Sequence, residues 1–513
     1  MMIVVLAACA GAPISPGAPS APSESSRPSE PSGSGPVYSA APAWEDNPDL
    51  ARLVGFVTAT SAAPTTLQVT VDDGARSWVH TADTPATAHR VRVLGLRPST
   101  EHTLTVQAFA TSGVPGDAVT LTAVTDPLPD DFPTYTVTST PDRMEPGLTL
   151  LRMADYVLLM DAAGVVRWYL PSGDNQLVAR ATDDGRIWII EARSRVWEID
   201  LSGRTIGAWQ ANGSDSGTPV DVTALHHDIL ELPGGTLLGL SVERRLVDDY
   251  PGSTEDPAAA PVDATVAGDV VVEFARDGTV QQTWPLLDVL DPQRVGHDGL
   301  SNNHWGPFFA GAEALDWSHG NSLWFDEDRD EIVVSLRNQD SVVAIARSTG
   351  ALAWIVAPQA NWVDPWRQAV LTPEEPILES YHQHGAKITP AGTLMLFDNG
   401  NRRASAYEDP IGLENYSRGV EIALDVEAGT YRVVRTVGET LEPALFSGSL
   451  GNADPMPTTG NMLVVFGNVK NEGEDRGQVI EATPTDPPQV VFHLRTPRSI
   501  YRSERVVGWM PGF

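Results

Sequence analysis

The chain has 513 residues and a formal net charge of −33, with 67 acidic against 34 basic side chains. Polyanion recognition is built on clustered Lys and Arg, so nucleic acid is excluded as a partner. Only two lysines occur, Lys387 and Lys470, and neither stands in a GxxxxGK[ST] loop, which excludes a P-loop nucleotide site.

The first segment, MMIVVLAACAGAPIS, is a short apolar run ending in Leu6-Ala7-Ala8-Cys9. It resembles the lipobox of bacterial lipoproteins. Residues 1–9 are therefore read as a signal segment, and Cys9 as a lipidation site that tethers an exported protein to the cell envelope, in the periplasm or at the cell surface. With a single cysteine no internal disulfide can form. Residues 10–46 are Ser/Pro/Gly-rich and too poor in large apolar side chains to fold, so a disordered tether is expected.

Residues 47–127 show alternating segments such as TTLQVTVDDG and DAVTLTAVTD, which predict a small β-sandwich. Within it, VLGLRPSTEHTLTVQAFA resembles the E-to-F region of a fibronectin type III domain. The expected role is a spacer or a dimerisation module, the latter making a homodimer. His80, His89 and His102 are read as surface residues.

From residue 130 the chain repeats itself. HDILELPGGTLLGLS, beginning at His227, aligns with HGAKITPAGTLMLFD, beginning at His384, and NADPMPTTGNMLVVF places Asn452 at the same position. YVLLMDAAGVVRWYL, RVWEIDLSGRTIGAWQ, VVVEFARDGTVQQTWPL and SVVAIARSTGALAWIV each pair a strand with a Trp-bearing partner across a tight turn, as the outer hairpin of a propeller blade does. At about 64 residues per unit, residues 130–513 hold six units. The predicted fold class is all-β: a six-bladed β-propeller preceded by the small sandwich.

Seven of the eleven histidines fall between 226 and 384. In a propeller, equivalent inner-strand positions face one another across the central channel, so His227, His319 and His384 are expected to meet in one pocket. The hairpin HGNSLWFDEDRDEIVVSLRNQ returns Arg337 to the end where His319 and Asn321 sit. Three readings compete. Turn histidines could simply satisfy backbone carbonyls. Neutral imidazoles could hold a metal, although acidic ligands at tight spacing are not obvious. A guanidinium beside several imidazoles suits a tetrahedral oxyanion, and an anion-transfer site is the inference drawn from the residues alone. Aromatics near the motifs, Trp305, Phe308, Tyr381 and Trp362, are candidate walls for an aryl pocket. The stretches 248–268 and 291–317 read as long, lid-like insertions.

HHDILELPGG, the run from Asp316 to Val356 and QHGAKITPAGTLMLFDNGNRR, in that order, resemble the signature regions of bacterial arylsulfate sulfotransferases of the type that does not use phosphoadenylyl sulfate. The resemblance covers about residues 130–513 and implies a six-bladed exported propeller with an N-terminal β-sandwich. It further implies no cofactor and no metal, and a ping-pong transfer from a phenolic sulfate ester to a phenol acceptor. His384 would be the nucleophile that takes the sulfuryl group. Asn321 and Arg337 would hold its oxygens, and His227 or His319 would handle the proton. Two alternatives belong to other classes: a metal-dependent propeller hydrolase and a non-catalytic surface-binding propeller.

Overall fold

The computed structural model describes residues 35–513, apart from 174–175, 192–194, 212–216, 302–303, 411–415 and 471–472. Cys9, its apolar run and the tether up to residue 34 lie outside the described residues. Among the described residues no helix is long and apolar enough to cross a membrane.

The N-terminal unit is built on two long antiparallel strands, Gly55–Asp72 and Ser77–Val93, whose register breaks between Thr60 and Thr65. The break lets each half of Gly55–Asp72 take a different outer neighbour. The first half pairs with Tyr38–Asp46 and the second with Glu101–Ala110, which in turn pairs with Val119–Val124. Two layers result, closed over Val57, Leu67, Val69, Val71, Val91, Leu104 and Val106. Leu67, Val69 and Val71 are buried while Gln68 and Thr70 are half-buried, the period of two that a half-covered strand requires.

Two expectations are corrected here. Residues 38–46, assigned to the tether, form an edge strand. Its sequence, YSAAPAWED, pairs through its backbone and lacks the apolar alternation by which a strand is recognised. His80, His89 and His102 are buried rather than on the surface. Their ring nitrogens serve the main chain: His80 at Leu94, His89 at the Thr65 carbonyl, and His102 as acceptor from the Arg97 N–H.

Residues 136–506 form six sheets around an axis. The inner strands of the second to sixth are Gln176–Ala181, His226–Glu231, Gly320–Asp326, His384–Ile388 and Asn452–Pro455. The ring closes twice. Ser503–Val506 supplies the inner strand of the first blade, against Leu148–Met153, and Thr136–Ser139 adds an outermost strand to the sixth, against Val490–Thr496. Central strands such as YVLLM, LMLFD and MLVVF carry no alternation because a neighbouring blade covers each face, and all their residues are buried.

The tryptophans of the outer hairpins join the blades. Trp168 donates its indole N–H to the Leu201 carbonyl of the next blade's turn, Trp209 does the same to Arg276, and Trp284 lies against Gly350. Each of those tight turns closes on a glycine with positive φ, Gly203, Gly278 and Gly350, so the repeated turn marks a blade-to-blade contact. The sandwich is fixed to the first blade by Arg167, which is buried between Asp161 at 2.8 Å and Asp73 of the sandwich at 2.9 Å.

The stretch 248–268 is no loop insertion. The strands Leu237–Tyr250 and Val262–Phe274 run on as one extended hairpin, paired without a break from Leu237↔Phe274 to Val247↔Ala264, and only its connection is irregular. Leu315–Asp316, at the end of the 291–317 stretch, pairs with this hairpin at Val266 and Ala267. Trp305 packs there on Ala224, Val242, Ala267 and Ala314, which makes the two stretches a wall beside the channel mouth.

Candidate active site

The predicted histidines do converge. His227 stands in a bulge between the paired positions His226↔Leu240 and Ile229↔Gly239, and His384 opens its strand beside a similar break in register. A bulge re-aims a side chain that a regular ladder would send between the blades. His227, His319 and His382 all carry positive φ, of 55°, 51° and 54°, a cost of the kind that clusters at functional sites. His319 lies just before the strand Gly320–Asp326 and accepts the Arg337 N–H on its carbonyl at 3.2 Å, so the hairpin returns Arg337 to the histidines as expected.

Hydrogen-bond partners fix which nitrogen of each ring faces the pocket. His226 meets the Ser241 carbonyl with Nε2 at 3.1 Å, and a carbonyl only accepts. Nε2 therefore carries the proton, Nδ1 of His226 accepts from Nδ1 of His227 at 2.8 Å, and the lone pair of His227 is left on Nε2. His384 points Nδ1 at Asn399 Oδ1 (2.7 Å) and at the His382 carbonyl (3.1 Å), both acceptors, while Asn399 spends its amide N–H groups on Ser447 and Leu450. The lone pair of His384 is thus also on Nε2, where it accepts the Leu450 N–H at a long 3.3 Å, a contact that attack on sulfur must release. His319 holds Nδ1 on Asp316 Oδ2 at 2.6 Å, which turns its Nε2 the same way.

Charge follows the same design. Burial, then the nearby positive charge of Arg337, brings His384 down to about 3, and burial brings His226 to about 3 and His227 well below its ordinary value. These rings are neutral bases at neutral pH. Burial works against ionisation of Asp316, but the charge and hydrogen bond of His319 bring it to about 2. Arg337 donates to Asp298 Oδ2 at 3.0 Å and to Asn338, and the same Asp298 oxygen lies 3.2 Å from His382 Nε2. His382 Nδ1 is 3.0 Å from Asp340. Burial disfavours the charged ring of His382, yet Asp340 and Asp298 raise its pKa, and the ring braces the Asp298 carboxylate that anchors Arg337.

An expected result follows from the buried neutral rings. An unfolded histidine titrates near 6.5, so between that value and about 3 the unfolded chain binds protons that His226, His227 and His384 refuse when folded. Stability must then rise with pH across this window and fall as pH drops through it. Thermal melts should show a lower Tm at pH 5 than at pH 7.

The remaining predicted residues divide. Asn321 is fully buried and donates one amide N–H to the Gln383 carbonyl at 2.8 Å, which ties its strand to the segment carrying His384 and leaves a second N–H on the same nitrogen. Trp305 is buried against the histidines, its ring 4.8 Å from His226 and 4.6 Å from His304, with its N–H on Asp316, and Phe308 packs on it at 5.5 Å. Trp362 is a core residue. It is buried beneath Arg294 with its N–H on the Pro358 carbonyl, because the segment after the fourth blade folds inward. Tyr381 is turned away among Glu379, Glu408 and Ser405, since its backbone N–H is pinned to Asp398.

The sequence reading missed Tyr501, whose ring lies 6.1 Å from His227 and 6.4 Å from His384 and whose hydroxyl reaches the Asn321 carbonyl. It immediately precedes Arg502 and the closing strand, and only ring closure brings it there. Asp316 was also missed, although its spacing of three from His319 is legible. A cavity of about 920 Å³ lies at the opposite end of the channel, lined by Arg180, Trp324, Lys387, Asp454 and Glu504. The buried Asp228, bound by Arg180 and Arg502, stands between it and His227.

A model of the family described as Arylsulfotransferase (ASST) matches residues 134–502, which takes in the six blades up to the closing strand Ser503–Val506. The chain belongs to the arylsulfotransferase family. Two curated relatives of this family member, both named arylsulfate sulfotransferase AssT, come from Escherichia coli O6:H1 and Lelliottia amnigena. Each is 26% identical, over 343 and 340 residues, which is 56% of this chain and 53% of the relative. The chain spans about half the length of the curated relatives it matches. Solved structures resembling this chain include a protein of unknown function from Bacteroides caccae (12% identity, TM-score 0.39, 70% of this chain and 98% of that one). Another is a periplasmic gluconolactonase from Pseudomonas aeruginosa (13%, TM-score 0.33, 70% and 99%). Likeness at that level carries no functional weight.

Proposed function

We propose that the protein moves a sulfuryl group from an aryl sulfate ester to a phenol, by a ping-pong route through His384 and without phosphoadenylyl sulfate. The observation that carries this reading is the lone pair on His384 Nε2, held neutral beside the anchored guanidinium of Arg337. A neutral base is what must attack an anionic sulfate ester, and a fixed cation is what its oxygens need.

In the first half-reaction His384 Nε2 forms a bond to sulfur while the bond from sulfur to the aryl oxygen breaks. The leaving oxygen takes a proton from His319, whose positive charge Asp316 offsets. In the second, the acceptor phenol returns a proton to His319, its oxygen bonds sulfur, and His384 leaves. Of the two histidines considered for this task, His319 is favoured because it alone rests on a carboxylate, whereas His227 is bonded to another histidine. Arg337 and the second amide N–H of Asn321 bind the sulfuryl oxygens, and Trp305 with Phe308 gives the aryl ring a wall. The same reading takes Cys9 as a lipid anchor that holds the enzyme in the cell envelope, with the sandwich as spacer or as a dimer contact.

The test is release of a chromogenic phenol from its sulfate, with and without a second phenol. Acceptor-dependent release that is indifferent to chelator is expected. Release that ignores the acceptor would identify a hydrolase instead, and no release with any acceptor would identify a binding propeller.

A further inference from the structure

His304 has no part in that transfer, yet it stands against His319, which does, and against His227 beside it. One ring nitrogen from each of His227, His304 and His319 lies within 4.8 Å of the others. The ring centres are 4.5 Å apart for His304 and His319, 5.2 Å for His227 and His319, and 6.1 Å for His227 and His304. Among the described residues no hydrogen bond joins these three rings, so their crowding is not explained by pairing.

The inward nitrogen of His227 is a lone pair and that of His319 becomes one when its transferable proton is displaced, because Nδ1 of each is already taken by His226 and Asp316. A histidine whose far nitrogen rests on a carboxylate has the tautomer, orientation and basicity of a metal ligand, and the His319–Asp316 contact at 2.6 Å is of this kind. His226 completes the same arrangement for His227, being itself fixed by Ser241. Three imidazoles with an open fourth position suit a borderline-soft divalent cation and not Mg²⁺ or Ca²⁺, which demand oxygen ligands.

We propose that His227, His304 and His319 form a binding site for one Zn²⁺-like cation, and that its occupation excludes the sulfate ester. The ion takes up the lone pair of His319 and brings its own coordinated water into the anion pocket. Metal and turnover then compete, and zinc acts as an inhibitor rather than a cofactor. The binding stands on the geometry alone, while the inhibition rests on the transfer reading.

Cobalt(II) is titrated into the full chain after treatment with chelator and desalting. An equimolar uptake with visible d–d bands of a tetrahedral site is expected, and Zn²⁺ should displace it. His304→Gln should weaken uptake about tenfold or more and Asp316→Asn by about 10–100-fold, with circular dichroism showing that each variant is folded. Absence of saturable uptake by the unaltered protein overturns the site whatever the variants do, and so does uptake that His304→Gln leaves unchanged. In the aryl sulfate assay, zinc should slow release and chelator restore it. Zinc that binds without slowing release overturns the exclusion. If metal-free protein releases no phenol, the transfer reading fails while the cobalt spectrum still decides the site.

Discussion

His384→Gln is expected to abolish acceptor-dependent phenol release, a loss on the order of 10⁶-fold when a covalent nucleophile is removed. Gln replaces the ring with an amide of similar reach, so the hydrogen bonds to Asn399 and the His382 carbonyl can be imitated while the lone pair that attacks sulfur is gone. The distinguishing measurement is a burst experiment with donor alone. The unaltered enzyme should release up to one equivalent of phenol and hold the sulfuryl group on His384, detectable as a mass increase on the peptide carrying it; the variant should give neither. A burst retained by His384→Gln would place the nucleophile elsewhere, and His227 would be the next to test. His319→Gln should differ in kind. It should hurt donors with poor leaving groups most, because only those need the proton.

Asp228→Asn should be the most destabilising single change near the site. The Asp228 carboxylate is buried and receives Arg180 at 2.8 Å, both arms of Arg502 at 3.0 and 3.1 Å, and the Leu323 N–H at 2.9 Å. It thereby joins the second, third, fourth and first blades around the axis. Arg180 and Arg502 together raise a desolvation cost that Asp228 offsets, and removing the charge leaves two guanidinium groups sharing a buried site. The cost of breaking such a pair is about 3–5 kcal/mol, a large share of the 5–15 kcal/mol typical of a folded domain. Chemical denaturation should show the unfolding free energy falling by that amount, read as a lower midpoint at unchanged m-value. The substitution should also lower activity in what remains folded, because Arg502 carries Tyr501, which stands between His227 and His384. A variant as stable as the original would show that Arg180 and Arg502 find other partners.

Much of this molecule can be read along the chain. Strand, turn and Trp recur in each unit because every blade must cover its neighbours on both faces, and that need is local and repeated. The glycine-closed tight turns and the alternation at Leu67, Val69 and Val71 are of this kind. So are the histidine motifs, since His227 and His384 occupy one position of a repeat and His319, Asn321 and Arg337 share one hairpin. Where local pattern was absent the reading failed. YSAAPAWED forms an edge strand with no apolar stripe to announce it, and the sandwich histidines were taken for surface residues because nothing nearby in sequence shows that main-chain groups at Leu94, Thr65 and Arg97 receive them.

By itself the sequence determined the fold class, the number of blades and which imidazoles would meet, because periodicity and repeat position are properties of neighbouring residues. Only the tertiary structure decided what those imidazoles are. The tautomers of His227 and His384 depend on Ser241 and Asn399, the anchoring of Arg337 on Asp298 and His382, and the floor of the site on Tyr501 and Arg502 reaching it from the closing strand. These partners are set by which strands the ring brings together. A hydrogen bond that fixes a proton on one nitrogen leaves no periodic trace in the chain.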